Sequence, residues 1–86
     1  MISPFGCMLR EIRLKFRNET RREQAMRLNV RERYLHQVEI GQRRVSGRFM
    51  DNILNKYKLS PLMIIRLHDA AAVHNAIYER INNKNG

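Results

Sequence analysis

Glu32, Arg33, His36 and Gln37 stand at i, i+1, i+4 and i+5, so on a helix they share one face. Their chemistry suits the edges of planar heterocycles. An Arg guanidinium can fork onto O6 and N7 of guanine, a Gln amide can bracket N6 and N7 of adenine, and a Glu carboxylate can accept from N4 of cytosine. Arg31 stands at the N-terminal end of the same face, where it is expected to contact a backbone phosphate. Cations that suit backbone phosphates flank it: Arg21 and Arg22 ahead of it, Arg43 and Arg44 after Gly41. The same side chains would also compose an ordinary solvated polar face, so the elements that carry them have to decide between the two.

Those elements are helices. Phe5, Met8, Leu9, Ile12 and Phe16 recur at helical spacing as one apolar stripe, with Arg10, Glu11, Arg13 and Arg17 outside it. Thr20-Arg21-Arg22-Glu23 has the form of a capping box, in which the Thr oxygen accepts the N3 amide and the Glu reaches back. The short helix it opens holds Ala25 and Leu28 and stops at Asn29, a residue that tolerates the left-handed turn conformation. A second short helix runs from about Arg31 to Ile40, with Tyr34, Leu35 and Val38 turned inward and Gly41 as its stop. Ser46 is placed to cap a fourth helix bearing Phe49, Met50, Ile53 and Leu54 on one face. Ser60-Pro61 opens a fifth that runs to about Ile81. No convincing strand is present. The spacing predicts an all-α chain of five helices with short connections. Its second and third helices, joined at Asn29-Val30, have the dimensions of a helix-turn-helix.

The charge is distributed unevenly along these elements. Of the 86 residues 17 are Lys or Arg and 8 are Asp or Glu, a formal net charge of +9. Residues 1–50 hold 12 of the cations and 5 of the acids. Arg outnumbers Lys by 13 to 4, which favours planar, bidentate contacts to phosphate or guanine. A domain this short buries roughly 60–65% of the surface of its unfolded chain, little for an enclosed active site. No Ser/His/Asp, paired-carboxylate or Gly-rich phosphate arrangement converges, so an enzyme is not expected and no cofactor is implied. One cysteine, Cys7, rules out an internal disulfide framework and a multi-cysteine zinc site. It is expected to be a small buried apolar residue. His68, Asp69 and His74 fall on different faces of one helix, a poor ligand set, so no metal is expected. The opening Met1 to Gly6 has no charged segment followed by a long apolar stretch, and no run approaches membrane-spanning length. The expected setting is cytoplasmic and nucleoid-associated.

Three runs carry a resemblance: Phe5-Gly6-x-x-Leu9-Arg10-Glu11-Ile12-Arg13, Thr20-x-x-Glu23-x-Ala25-x-x-Leu28-Asn29-Val30, and Tyr34-Leu35-x-Gln37-Val38-Glu39-x-Gly41-x-Arg43. Together they resemble the Xre/Cro-type helix-turn-helix of phage repressors and small bacterial regulators, over roughly residues 4 to 60. The resemblance implies a five-helix, lambda-repressor-like domain whose third helix lies in the major groove of double-stranded DNA, and homodimers on palindromic operators. Carried over position by position, Arg21 would hold a phosphate near the start of helix two. Glu32, Arg33 and Gln37 would read base edges with Arg31 and His36 at their flanks, and Glu39 would be structural. The chain departs from the family pattern at four places. Asn29 replaces a usual Gly, and Gln24 stands where an aliphatic residue is buried. Arg31 replaces the Ser or Thr cap of helix three, a loss of about 1 kcal/mol. The loop before Thr20 is one residue longer.

From Pro61 onward, Leu67, Ala70, His74, Ile77 and Ile81 step by 3, 4, 3 and 4, a heptad seam suited to a dimer interface. Leu62, Ile64 and Ile65 lie near its start, and Ala70-Ala71-Ala72 permits close helix approach. Part of this surface would instead cover helices one and four: the Leu62–Leu67 end is expected to complete the core and the later part to pair with a second subunit. The expected organisation is a DNA-binding core over residues 1–60, a helix over 61–82 that completes the core and pairs subunits, and a frayed polar tail over 83–86. Such a chain would act as a homodimeric transcriptional repressor. The main alternative is an antitoxin that autoregulates its operon and binds a toxin. A cationic membrane or RNA binder fits less well, since only Arg66 and Arg80 are basic in residues 61–81 and Trp is absent.

Overall fold

A computed structural model describes residues 2–82. These form five α-helices and no strand: α1 (Pro4–Ile12), α2 (Arg21–Arg27), α3 (Glu32–Glu39), α4 (Gly47–Lys56) and α5 (Pro61–Asn82). The polar tail expected over 83–86 lies outside the described residues.

Local hydrogen bonding sets most of the boundaries. Ser3 caps α1 by accepting from the Gly6 amide, with Pro4 at the first helical position. At α2 both halves of the capping box form: Thr20 accepts from the Glu23 amide at 3.1 Å, and the Glu23 carboxylate accepts from the Thr20 amide at 2.8 Å. Those bonds hold the Glu23 carboxyl below the usual carboxylate range. Ser46 and Ser60 cap α4 and α5 in the same manner. Asn29 ends α2 with φ 55°, and Gly41 ends α3 with φ 82°. Both ends are Schellman motifs. Val30 N–H reaches Ala25 O and Asn29 N–H reaches Met26 O, while Gln42 N–H reaches Gln37 O and Gly41 N–H reaches Val38 O.

Between α1 and α2 the chain widens into a π turn over Arg13–Arg17, closed by left-handed Asn18 at φ 47°. A π turn holds more residues per turn than an α-helix, and it rotates Phe16 off the α1 stripe. Phe16 is 37% exposed and not part of the core expected for it. Cys7 is exposed rather than buried, because it points away from the Phe5, Leu9, Ile12 side that faces the interior.

The core is continuous across all five helices. Phe5, Leu9 and Ile12 of α1 meet Leu28 near the end of α2, Leu35 and Val38 of α3, Phe49 and Ile53 of α4, and Leu67 of α5. Gly6 allows α1 to lie on the end of α3: a Cβ there would stand 2.3 Å from the Glu39 carbonyl oxygen. The Ser3 amide donates to that same carbonyl at 2.7 Å. Gln24 is fully buried where an aliphatic residue was the family expectation. Its amide is satisfied, with Nε2 donating to Leu9 O at 3.1 Å and Oε1 accepting from Arg13 at 3.4 Å.

Helix α5 is apolar on several sides. Met63, Leu67, Ala71 and His74 are buried within the chain, whereas Leu62, Ile65, Val73, Ile77 and Ile81 are exposed. This corrects the seam expected for dimerisation. Leu67 is fully buried and His74 only 2% exposed, so both fill the monomer core and neither is available to a partner. Ala70 is half-buried, and Ile77 and Ile81 face outward together with Val73. His74 Nε2 bonds Arg43 O at 2.7 Å and its Nδ1 bonds Ser3 Oγ at 3.1 Å. Asn75 brackets the Val45 backbone, accepting from its N–H and donating to its C=O. Helix α5 therefore pins the loop between α3 and α4.

Candidate nucleic-acid interface

Helix α3 is held at its C-terminal end and along one side. Leu35 and Val38 are buried, and Tyr34 stacks edge-on against Phe49 with ring centroids 5.4 Å apart. That leaves Glu32, Arg33 and His36 exposed and Gln37 half-buried. The four side chains expected on one outward face are thus brought together. Arg31 is exposed and provides the N-cap backbone without a side-chain cap bond, as its residue type requires. The first amides of α3 gain no acceptor from it.

An ion network fixes α3 against α1 and α2. Glu39 is 3% exposed and ion-paired with Arg13, and its other oxygen lies 3.5 Å from Arg21. A carboxylate this deep is tolerable only with such partners. Its structural role follows from that burial. Arg21 is not a free phosphate clamp: its terminal nitrogen also lies 2.9 Å from His36 Nδ1, and its Nε is 3.7 Å from Glu32. That Nε is buried and makes no hydrogen bond. Arg21 thus ties two side chains of the α3 face to α2.

The other cations differ in how far they are committed. Arg43 Nε donates to Gln37 Oε1 at 3.1 Å, and Arg44 pairs with Glu79 of α5 at 2.8 Å on exposed surface. Arg22 and Arg31 are exposed and have no ion pair among the described residues. Arg48 was not singled out from the sequence. It lies near the start of α4, on an open groove shared with Asn29, Val30 and Tyr34, so it adds an exposed cation beside the α2–α3 turn. No periodicity or motif in the sequence marks it; the folding of α4 against that turn does.

A second carboxylate, also not singled out, anchors the connection into α2. Glu19 is 5% exposed and accepts from Arg27 Nε at 3.0 Å and from the Tyr57 hydroxyl. Arg27 stands over the Tyr57 ring at 5.9 Å. Burial and the bond to Glu19 push the Tyr57 hydroxyl well above the ordinary tyrosine range.

Among the described residues no group of three His, Cys, Asp or Glu side chains is placed to hold a metal ion. No described helix is long and apolar enough to cross a membrane. No family model, no curated protein and no solved structure matches the chain.

Proposed function

We propose that this chain is a sequence-specific double-stranded DNA-binding protein in which α2 and α3 form a helix-turn-helix, α3 entering the major groove. One observation carries the reading. A two-turn helix, fixed on three sides by core, ion pairs and cap bonds, exposes Arg31, Glu32, Arg33 and His36 beside Gln37. Phosphate contacts would come from Arg22, Arg44 and Arg48 around that face. The resemblance to Xre/Cro-type regulators supports the same placement of α3.

The reading extends to a homodimer. Val73, Ile77 and Ile81 give the C-terminal half of α5 an apolar ridge, 49–65% exposed. At 22 residues, α5 is about 33 Å long, comparable to the ~34 Å between half-sites on one face of B-DNA. Pairing along this ridge would set two α3 helices on a palindrome, and occupancy of such a site at a promoter represses transcription.

Selection of bound duplexes from a random library tests the proposal. A palindromic consensus is expected, with half-site centres about one helical turn apart. Recovery of random sequence, or of single-stranded nucleic acid in preference to duplex, would overturn it.

A further inference from the structure

The α3 face carries a hydrogen-bond polarity that its residue types alone leave open. His36 and Gln37 can each donate or accept. In the structure each meets an arginine: Arg21 lies 2.9 Å from His36 Nδ1, and Arg43 Nε lies 3.1 Å from Gln37 Oε1. A guanidinium has only donors. Nδ1 of His36 must therefore be unprotonated and accepting, which places the ring proton on Nε2. The amide oxygen of Gln37 must likewise face Arg43, which leaves its NH2 as the uncommitted end. Neither His36 Nε2 nor Gln37 Nε2 has a protein partner among the described residues.

With Arg31 and Arg33, which donate only, this makes the outward face of α3 almost entirely a donor surface. Glu32 is its one carboxylate, and that group lies 3.7 Å from Arg21 Nε. In the major groove guanine presents two acceptors, N7 and O6, and no donor. Adenine presents one acceptor, N7, with an N6 donor in place of O6; cytosine presents a donor, and thymine a single acceptor beside a methyl group.

We propose that Arg21 and Arg43 are positioning residues that fix His36 as the Nε2-protonated tautomer and turn the Gln37 amide NH2 outward, so that α3 selects guanine edges in its half-site. The inference rests on the DNA-reading proposal above and deepens it. Arg21 and Arg43 then act on specificity through their neighbours, whereas Arg33 touches a base itself.

Two measurements on the full chain test it separately. The first needs no DNA: long-range 1H–15N spectra of the imidazole rings at mildly alkaline pH, with His36 assigned by comparison with His36→Gln. The expected spectrum shows Nε2 protonated and Nδ1 bare, and Arg21→Met is expected to return His36 to a mixture of tautomers. A protonated Nδ1 in the parent chain would overturn the proposal. The second is duplex selection followed by affinity measurement on guanine-to-adenine changes, one position at a time. The parent chain is expected to lose about tenfold or more at the positions facing His36 and Gln37. Arg21→Met should flatten the first preference only, and Arg43→Met the second only. Half-sites dominated by A·T pairs, or variants that change all positions equally, would overturn the assignment while leaving DNA reading intact. No enriched sequence at all, with the tautomer as described, would overturn the DNA reading itself and this proposal with it.

Discussion

Gly6→Ala is the substitution whose cost can be worked most directly from the geometry. The added Cβ would stand 2.3 Å from Glu39 O, 2.8 Å from Glu39 Cα and 2.9 Å from its carbonyl carbon. All three are backbone atoms, so no side-chain rotation relieves the clash. Helix α1 must move from the end of α3 by about 1 Å, a gap that forfeits a quarter to a half of the dispersion attraction along the contact. Overpacking of this kind costs about 1–3 kcal/mol. Stretching the 2.7 Å bond from Ser3 N to Glu39 O adds about 1 kcal/mol. The better helix propensity of Ala returns up to about 1 kcal/mol. The net expectation is a loss of about 1–4 kcal/mol, a fall in Tm of roughly 4–32 °C for a domain of this size. Urea and thermal unfolding followed by circular dichroism measure it. Gly47→Ala is the control, since nothing lies within 4 Å of its added Cβ, and it should change stability by no more than about 0.5 kcal/mol. Equal stability of Gly6→Ala and the parent would refute the close approach of α1 to α3 on which the orientation of α3 depends.

Further perturbations address the ridge, the face and the Tyr57 network. Ile77→Asp should yield a folded monomer by sedimentation, because Ile77 is 49% exposed and outside the core; a persistent dimer would remove the ridge from the interface. Arg33→Ala should cost about 1–3 kcal/mol on the selected site and relax discrimination at one base pair, whereas Arg22→Ala should weaken specific and random duplexes alike. In a pH titration of stability, the raised folded-state pKa of Tyr57 means that its contribution is complete below about pH 10, the unfolded value. That contribution is lost as pH rises through the higher folded value. Tyr57→Phe should shallow that alkaline decline while costing about 1–3 kcal/mol at neutral pH, since buried Glu19 loses a donor.

Much of the architecture was legible because the signals that end helices are local. Thr20, Ser46 and Ser60 each accept from the amide three residues on, and Asn29 and Gly41 supply the left-handed turns that α2 and α3 need. The outward face of α3 followed from periodicity, since Leu35 and Val38 leave only one orientation for their neighbours. What escaped was non-local. Ser3-Pro4 is as clear a start signal as Ser60-Pro61, but the contact of Gly6 with Glu39 depends on how α1 meets α3. A wide π turn at Arg13–Arg17 cannot be told from a continuing α-helix by apolar spacing, which is why Phe16 was placed inward. Arg21 read as a phosphate ligand because its partners Glu39 and His36 lie 18 and 15 residues away. On α5 the heptad spacing fitted two faces at once, and only packing shows that Leu67 and His74 belong to the core while Ile77 and Ile81 do not.

On the proposed reading α3 is the surface that meets duplex DNA. Titration of the selected duplex into 15N-labelled chain, with amide shifts mapped residue by residue, tests this. The largest changes are expected on Arg31 to Gln37, with smaller ones at Arg22, Arg43, Arg44 and Arg48. With a non-specific duplex the α3 changes should be absent while the flanking ones remain. Changes centred on the exposed side of α5, or on the far side of α1 around Cys7, would contradict it.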